Sequence, residues 1–141
     1  MVFYCAYTLL YTRIKNLGEA MRTLFLQAGV IFAGLAVGLG AFTTHYLKSR
    51  VEPDMMSIFE VGVRYQMYHS LALILVGVLL SYNPNRVLVW TGFSFIAGVI
   101  IFSGSLYLLS LSGVKVLGAI TPIGGVLFLV GWFLFLIAII Y

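Results

Sequence analysis

Residues 116–141 read VLGAITPIGGVLFLVGWFLFLIAIIY, a run without one charged side chain. The hydrocarbon core of a bilayer is about 30 Å thick, and a helix rising about 1.5 Å per residue needs about 20 apolar residues to cross it. Residues 116–141 meet that length, and so do about residues 87–111 and about residues 23–46, the latter ending at Lys48 and Arg50. A remaining stretch is less simple. Its purely apolar part, residues 71–80, is too short to cross, so the helix must begin near Val61 and take in Arg64, Gln66 and His69. Arg64 can extend its guanidinium to the interface, whereas His69 must face protein or water rather than lipid. The links at residues 81–86 and 110–115 are short, which makes neighbouring helices antiparallel. The fold predicted is an all-α integral membrane four-helix bundle running up-down-up-down, with spans at about 23–46, 61–82, 87–111 and 116–141.

The composition agrees. Of 141 residues, 62% are hydrophobic and 9% charged, against about 25% charged in a soluble domain. So few charges cannot cover a water-soluble globule of this size, which excludes a soluble enzyme, a disordered tail and a nucleic-acid-binding module. The net charge of +4 does not restore nucleic acid as a partner, because the 8 Lys and Arg residues are scattered. The partner implied is the lipid bilayer. Cys5 is the one cysteine and has no internal disulfide partner.

Residues 1–22 read as an N-terminal extension to a membrane domain of residues 23–141. Its apolar part, residues 2–11, precedes Arg13 and Lys15, the reverse of a signal peptide. The extension is expected to be peripheral, or to lie upstream of a start at Met21. Counted over the whole chain, four basic residues flank each side of the bundle. Counted from Met21, the division is two against four, which puts the first and third loops in the cytoplasm and both termini outside.

Local signals mark the ends of the elements. Asn83 and Pro84 favour a turn, and Gly113 is available as a helix stop. Glu52-Pro53-Asp54 reads as a helix start with Asp54 as N-cap. Met55, Ile58, Phe59 and Gly62 then follow helical spacing, which predicts a short amphipathic helix leading into the second span with a bend near Gly62. Glu60 and Arg64 form an i, i+4 pair on it. Pro122 should kink the fourth span. Tyr46, Tyr65, Tyr68 and Tyr107 fall toward one membrane face, and Tyr82, Trp90 and Tyr141 toward the other, as an aromatic belt does.

Helices in lipid associate through small residues. The candidates are Gly34 and Gly38 in GxxxG spacing with Ala36 and Gly40 one step round, Ser94 and Gly98 and then Gly104 between Ser103 and Ser105 in the third span, and Gly118, Gly124, Gly125 and Gly131 in the fourth. They serve as contact faces inside one bundle, or one face, that of the first span, pairs with another protomer or partner.

One polar constellation stands out: His45, Glu60, Arg64, Gln66 and His69, at the end where the first span meets the second. Antiparallel packing is expected to bring His45 and His69 to similar depths. Three readings compete. The residues hydrogen-bond one another and tie the bundle together, since an unsatisfied polar group in an apolar medium costs several kcal/mol. Alternatively the two imidazoles ligate a metal or haem, or Glu60 and His69 change protonation along a solute pathway. The first span carries no Asp or Glu of the kind a small proton-coupled exporter needs. No paired carboxylates, nucleophile constellation, phosphate-cradling loop or metal motif is present, so no enzymatic activity, metal or cofactor is expected.

Gly40-Ala41-Phe42, His45 and Leu47-Lys48, then Phe59-Glu60, residues 64–69 (RYQMYH) and Leu71-Ala72-Leu73 resemble the domain-of-unknown-function 423 family, which includes the transmembrane protein 256 group. So do residues 102–107 (FSGSLY), residues 120–125 (ITPIGG) and Gly131-Trp132. Thr43-Thr44 departs from the family's usual Gly-Ala. The resemblance covers about residues 22–135 and implies a small four-helix protein of bacterial plasma membranes, with eukaryotic relatives and no assigned activity. The function expected is therefore a non-catalytic accessory or scaffold component, in an oligomer or larger membrane complex; the alternative is a small-solute or ion transporter using the end around Glu60 and His69. A purified sample is expected to show no visible-range absorption band in a spectrophotometer, and a haem band would assign the two histidines as ligands instead.

Overall fold

The computed structural model describes residues 2–47 and 50–140, with side chains from residue 18 onward. Met1, Lys48, Ser49, Tyr141 and the Cys5, Arg13 and Lys15 side chains lie outside the described residues. The elements are helix α1 (Val2–His45), α2 (Pro53–Tyr82), α3 (Arg86–Gly98), a π-helical turn (Val99–Ser103), α4 (Gly104–Ser112), a 3-10 turn (Lys115–Ala119) and α5 (Thr121–Ile140). Four helical segments are long and apolar enough to cross a membrane: Gly18–His45, Pro53–Tyr82, Arg86–Ser112 and Lys115–Ile140. The four predicted spans are thus present, the third built from α3, the π turn and α4.

Several ends follow the local chemistry. Gly113 ends α4 in the left-handed conformation (φ 71°), its N–H bonded to the Leu109 carbonyl at 2.8 Å. Asn83 leaves α2 in an extended conformation ahead of Pro84. Asn85 caps α3, its side-chain oxygen accepting from the Val87 N–H at 2.8 Å.

Two expectations are corrected. Glu52, not Asp54, occupies the N-cap position of α2, and Pro53 stands at the start of the helix, where its missing N–H costs nothing. Asp54 lies in the first turn, facing the positive end of the helix dipole. The amphipathic lead-in and the second span are consequently one helix. The second correction concerns Pro122. It does not kink a continuous helix; the chain enters as a 3-10 turn over Lys115–Ala119, and Pro122 falls in the first turn of α5. The Thr121 hydroxyl covers the junction, at 2.8 Å from the Ser105 hydroxyl.

Helix α2 is central. Gly77 admits Leu26 of α1, Gly29 of α1 lies against Ser70 and Ile74, and Gly40 lies beside Val63. These contacts run in opposite order along the two helices. The third span and α5 pack the same way: Gly98 receives the Phe128 ring, Gly131 receives the Phe95 ring, and Gly124 lies directly on the Phe102 backbone in the π turn. A π turn widens the helix by one residue, and here that residue's backbone meets a glycine. Phe25, Leu73, Val76, Leu80, Phe95, Val99, Phe128 and Phe135 fill the interior.

Several of the glycines singled out in the sequence, Gly34 and Gly38 in GxxxG spacing among them, behave differently. Nothing stands within 4 Å of where a Cβ would be at Gly34, Gly38 or Gly104, and Gly125 only grazes the Phe102 ring at 3.9 Å. As contact faces inside the bundle, these four are therefore corrected. Among the candidates Gly98, Gly124 and Gly131 are close contacts. Gly124→Ala is expected to destabilise by about 1–3 kcal/mol through overpacking, and Gly34→Ala by less than about 0.5 kcal/mol; thermal unfolding in detergent measures both.

Candidate functional site

Gln66 sits on the inner face of α2 with 4% of its surface exposed. Its Nε2 donates to the Phe32 carbonyl of α1 at 2.8 Å, and its Oε1 accepts from the Tyr107 hydroxyl of α4 at 2.9 Å. One carboxamide thereby joins three helices. Further bonds extend the pattern along α2. The Ser103 hydroxyl donates to the Gly62 carbonyl and the Ser110 hydroxyl to the Met55 carbonyl, each at 2.8 Å, while Ser70 returns its proton to the Gln66 carbonyl. A polar group in hydrocarbon has no water to turn to. Along α2 each of these groups is matched within the protein.

His69 lies one turn further along and is equally buried. The Trp132 indole N–H donates to its Nε2 at 3.1 Å, so the ring proton belongs on Nδ1, which donates to the Tyr65 carbonyl at 2.8 Å. The Phe128 ring stacks on the imidazole with centroids 3.5 Å apart and planes 8° from parallel. Both nitrogens are occupied in the neutral form. Beside this pair a groove of about 500 Å³ opens sideways, lined by Tyr65, His69, Phe102, Gly125, Phe128 and Trp132 among others. Its walls are mainly apolar rings.

The structure does not assemble the five candidate residues into one site. His69 falls near the middle of the 30-residue α2, because the helix begins at Pro53 rather than Val61. The contacts Leu26–Gly77, Phe32–Gln66 and Gly40–Val63 place it level with about residues 29–34 of α1. His45, exposed in the last turn of α1, is therefore about 16–24 Å further along the axis at about 1.5 Å per residue. The expectation of similar depths is overturned, and with it a site that uses both imidazoles. Glu60 is half-buried and Arg64 exposed, the two flanking a shallow groove of about 220 Å³ with Gly40, Thr43 and Val63. Among the described residues no ion pair closes within 4.0 Å, so the Glu60–Arg64 pair is not made. Nor does any group of three or more His, Cys, Asp or Glu gather among the described residues.

Sequence reasoning missed three partners. Tyr107 was expected in the aromatic belt; its hydroxyl instead faces Gln66, and its ring occupies the space over Gly62. Phe128 and Trp132 carried no polar signal, although Trp132 belongs to the Gly-Trp pair in the family resemblance. Tyr65 and Tyr68 belong to the middle of α2 rather than its end. Tyr82 and Trp90 do stand exposed near the opposite end of the bundle, as a belt requires.

Fold and site together define a helical four-span integral membrane protein whose interior polar groups are bonded to one another. A family model described as "Protein of unknown function (DUF423)" matches residues 39–125. The chain is 48% identical over 118 residues to a UPF0382 membrane protein of Staphylococcus aureus, covering 82% of this chain and 93% of the relative. Similar proteins of the same name occur in Staphylococcus haemolyticus (45% identical, 82% and 93% covered) and Staphylococcus saprophyticus (43%, 80% and 93%). No solved structure matches. The chain belongs to this uncharacterised family of membrane proteins, and the bacterial relatives accord with a place in the bacterial plasma membrane.

Interhelical hydrogen bonds in membranes are worth about 0.6 kcal/mol on average and at most about 1.7. Gln66→Leu removes two and leaves the Tyr107 hydroxyl unpaired, so a loss of about 1–3 kcal/mol is expected in detergent unfolding. Glu60→Gln, which breaks no contact of this kind, is expected to change stability by less than about 0.5 kcal/mol.

Proposed function

We propose that the protein acts as a non-catalytic accessory or scaffold component of the membrane, associating with another copy or a larger complex through the outer face of α1. The observation that carries this reading is a division of labour between polar groups and small residues. Among the described residues the buried polar side chains are hydrogen-bonded, Gln66, His69, Ser103, Ser105 and Ser110 to other helices and Thr43, Ser70 and Thr91 to carbonyls of their own. The one buried group without a partner among them, the Arg22 Nε, lies at the far end of the bundle. Helix α1, by contrast, packs chiefly on α2 and is the least buried of the four spans. Its far side presents Gly34 and Gly38 with nothing near them, flanked by exposed Gln27 and Ala41 at helical spacing. Small residues let a second backbone approach closely, and a carboxamide in the same stripe supplies both a donor and an acceptor.

A transporter reading would rest on the groove beside His69. Against it stand the two bonded nitrogens of His69, the separation of Glu60 from it, and the packed layer of Leu73, Val76, Phe95 and Phe135. The association is tested by native mass spectrometry after extraction in a gentle detergent. Dimers or a larger complex are expected, with Gly34→Leu plus Gly38→Leu weakening association at least about tenfold, equivalent to about 1.4 kcal/mol. Gly104→Leu, equally unobstructed but on α4, should leave it unchanged. A strictly monomeric, partner-free species overturns the proposal.

A further inference from the structure

At the end of the bundle where α1 passes the turn between α2 and α3, Gly18 lies against Pro84, with 3.6 Å between the proline Cβ and the position a glycine Cβ would take. Two adjoining hollows flank that contact. One, of about 120 Å³, is lined by Glu19, Arg22, Ser81 and Pro84; the other, of about 80 Å³, by Met21, Asn85, Arg86 and Val89. Gly18, Leu80 and Pro84 line both. An arginine therefore stands on each side of one small contact.

Among the described residues neither guanidinium has an acidic partner within 4.0 Å. The Nε of Arg22 is buried and has no hydrogen-bond partner, and a buried unpaired donor on a cation costs more than a neutral one. Glu19, one turn away on α1, is exposed and pairs with neither arginine within 4.0 Å. It is the one carboxylate at this end among the described residues, since Glu52, Asp54 and Glu60 belong to the other. Arg86 opens α3, a 13-residue helix whose N-terminus adds partial positive charge beside it. The Ser81 hydroxyl, which donates to the Gly77 carbonyl over a long 3.4 Å, lines the hollow, and Asn85, whose oxygen caps Val87, has its amide N–H groups left to donate.

From these residues we infer that the Arg22–Arg86 end binds the phosphate of an anionic phospholipid. A phosphate supplies what is missing: a delocalised negative charge with several acceptor oxygens that suit guanidinium donors. The depth identifies the source as lipid. Exposed Tyr82 (83%) and Trp90 (66%) mark this end as headgroup level. Met21, Leu80 and Val89 give the hollow an apolar wall, which a lipid's glycerol and acyl carbons fit and free phosphate does not use. Basic pockets between helices at the membrane surface take lipid headgroups on the same physical grounds.

The test is native mass spectrometry of the full chain titrated with phosphatidylglycerol, phosphatidylcholine and inorganic phosphate. One phosphatidylglycerol is expected to be retained at least about tenfold more strongly than phosphatidylcholine. Arg22→Gln and Arg86→Gln should each weaken retention about fivefold, and Arg22→Lys, which keeps the charge, by less. Arg64→Gln at the opposite end should have no effect. Equal retention of both lipids, or unchanged phosphatidylglycerol binding in the Arg22→Gln, Arg86→Gln double variant, overturns the inference. Displacement of the lipid by millimolar inorganic phosphate overturns the assignment to lipid.

Discussion

A carboxamide in hydrocarbon must find its partners inside the protein, and the placement of Gln66 answers to that requirement more than to any other. It reaches one neighbour through its nitrogen and another through its oxygen, and so sets the rotation of α2 against α1 and against α4 at the same level. The acceptors along α2 and α1 are helix carbonyls at Met55, Gly62, Tyr65 and Phe32. A carbonyl oxygen has two lone pairs, so each can serve the helix ladder and a side chain together. The bundle gains cross-ties without giving up helical bonds.

Packing follows the same economy of space. Lipid tails are as apolar as the interior, so helices gain little from the hydrophobic effect and depend on close contact. In this protein the contact is made by rings seated on glycines: Phe25 on Gly92, Phe128 on Gly98 and Phe95 on Gly131. The π turn brings backbone rather than a ring against Gly124. His69 is drawn into this aromatic layer, stacked on Phe128 and bonded to Trp132, and behaves as a hydrogen-bonded ring of the core. What the layer does not cover is equally informative. Gly34 and Gly38 face away from the bundle, and among the described residues Arg22 and Arg86 meet no carboxylate within 4.0 Å where the helices reach the membrane surface.

Much of the fold was legible in the sequence because hydrocarbon thickness converts directly into helix length. Residues 116–141 could be little else, and Pro84 and Gly113 fix their turns by backbone sterics alone. The need of Gln66 and His69 for protein partners was equally plain, since lipid offers none. Which partners they found was decided only in three dimensions. His69 proved distant from His45 because the register of α2 against α1, fixed by the Gln66–Phe32 bond and the Leu26–Gly77 contact, sets it level with the middle of α1 rather than its end. Tyr107, Phe128 and Trp132 entered the site through side-chain direction and interhelical register, neither of which spacing along one chain contains. The tertiary structure also chose among the glycines. GxxxG spacing identifies a smooth helix face, but only the rotation of each helix determines whether that face turns inward to a phenylalanine or outward to the membrane.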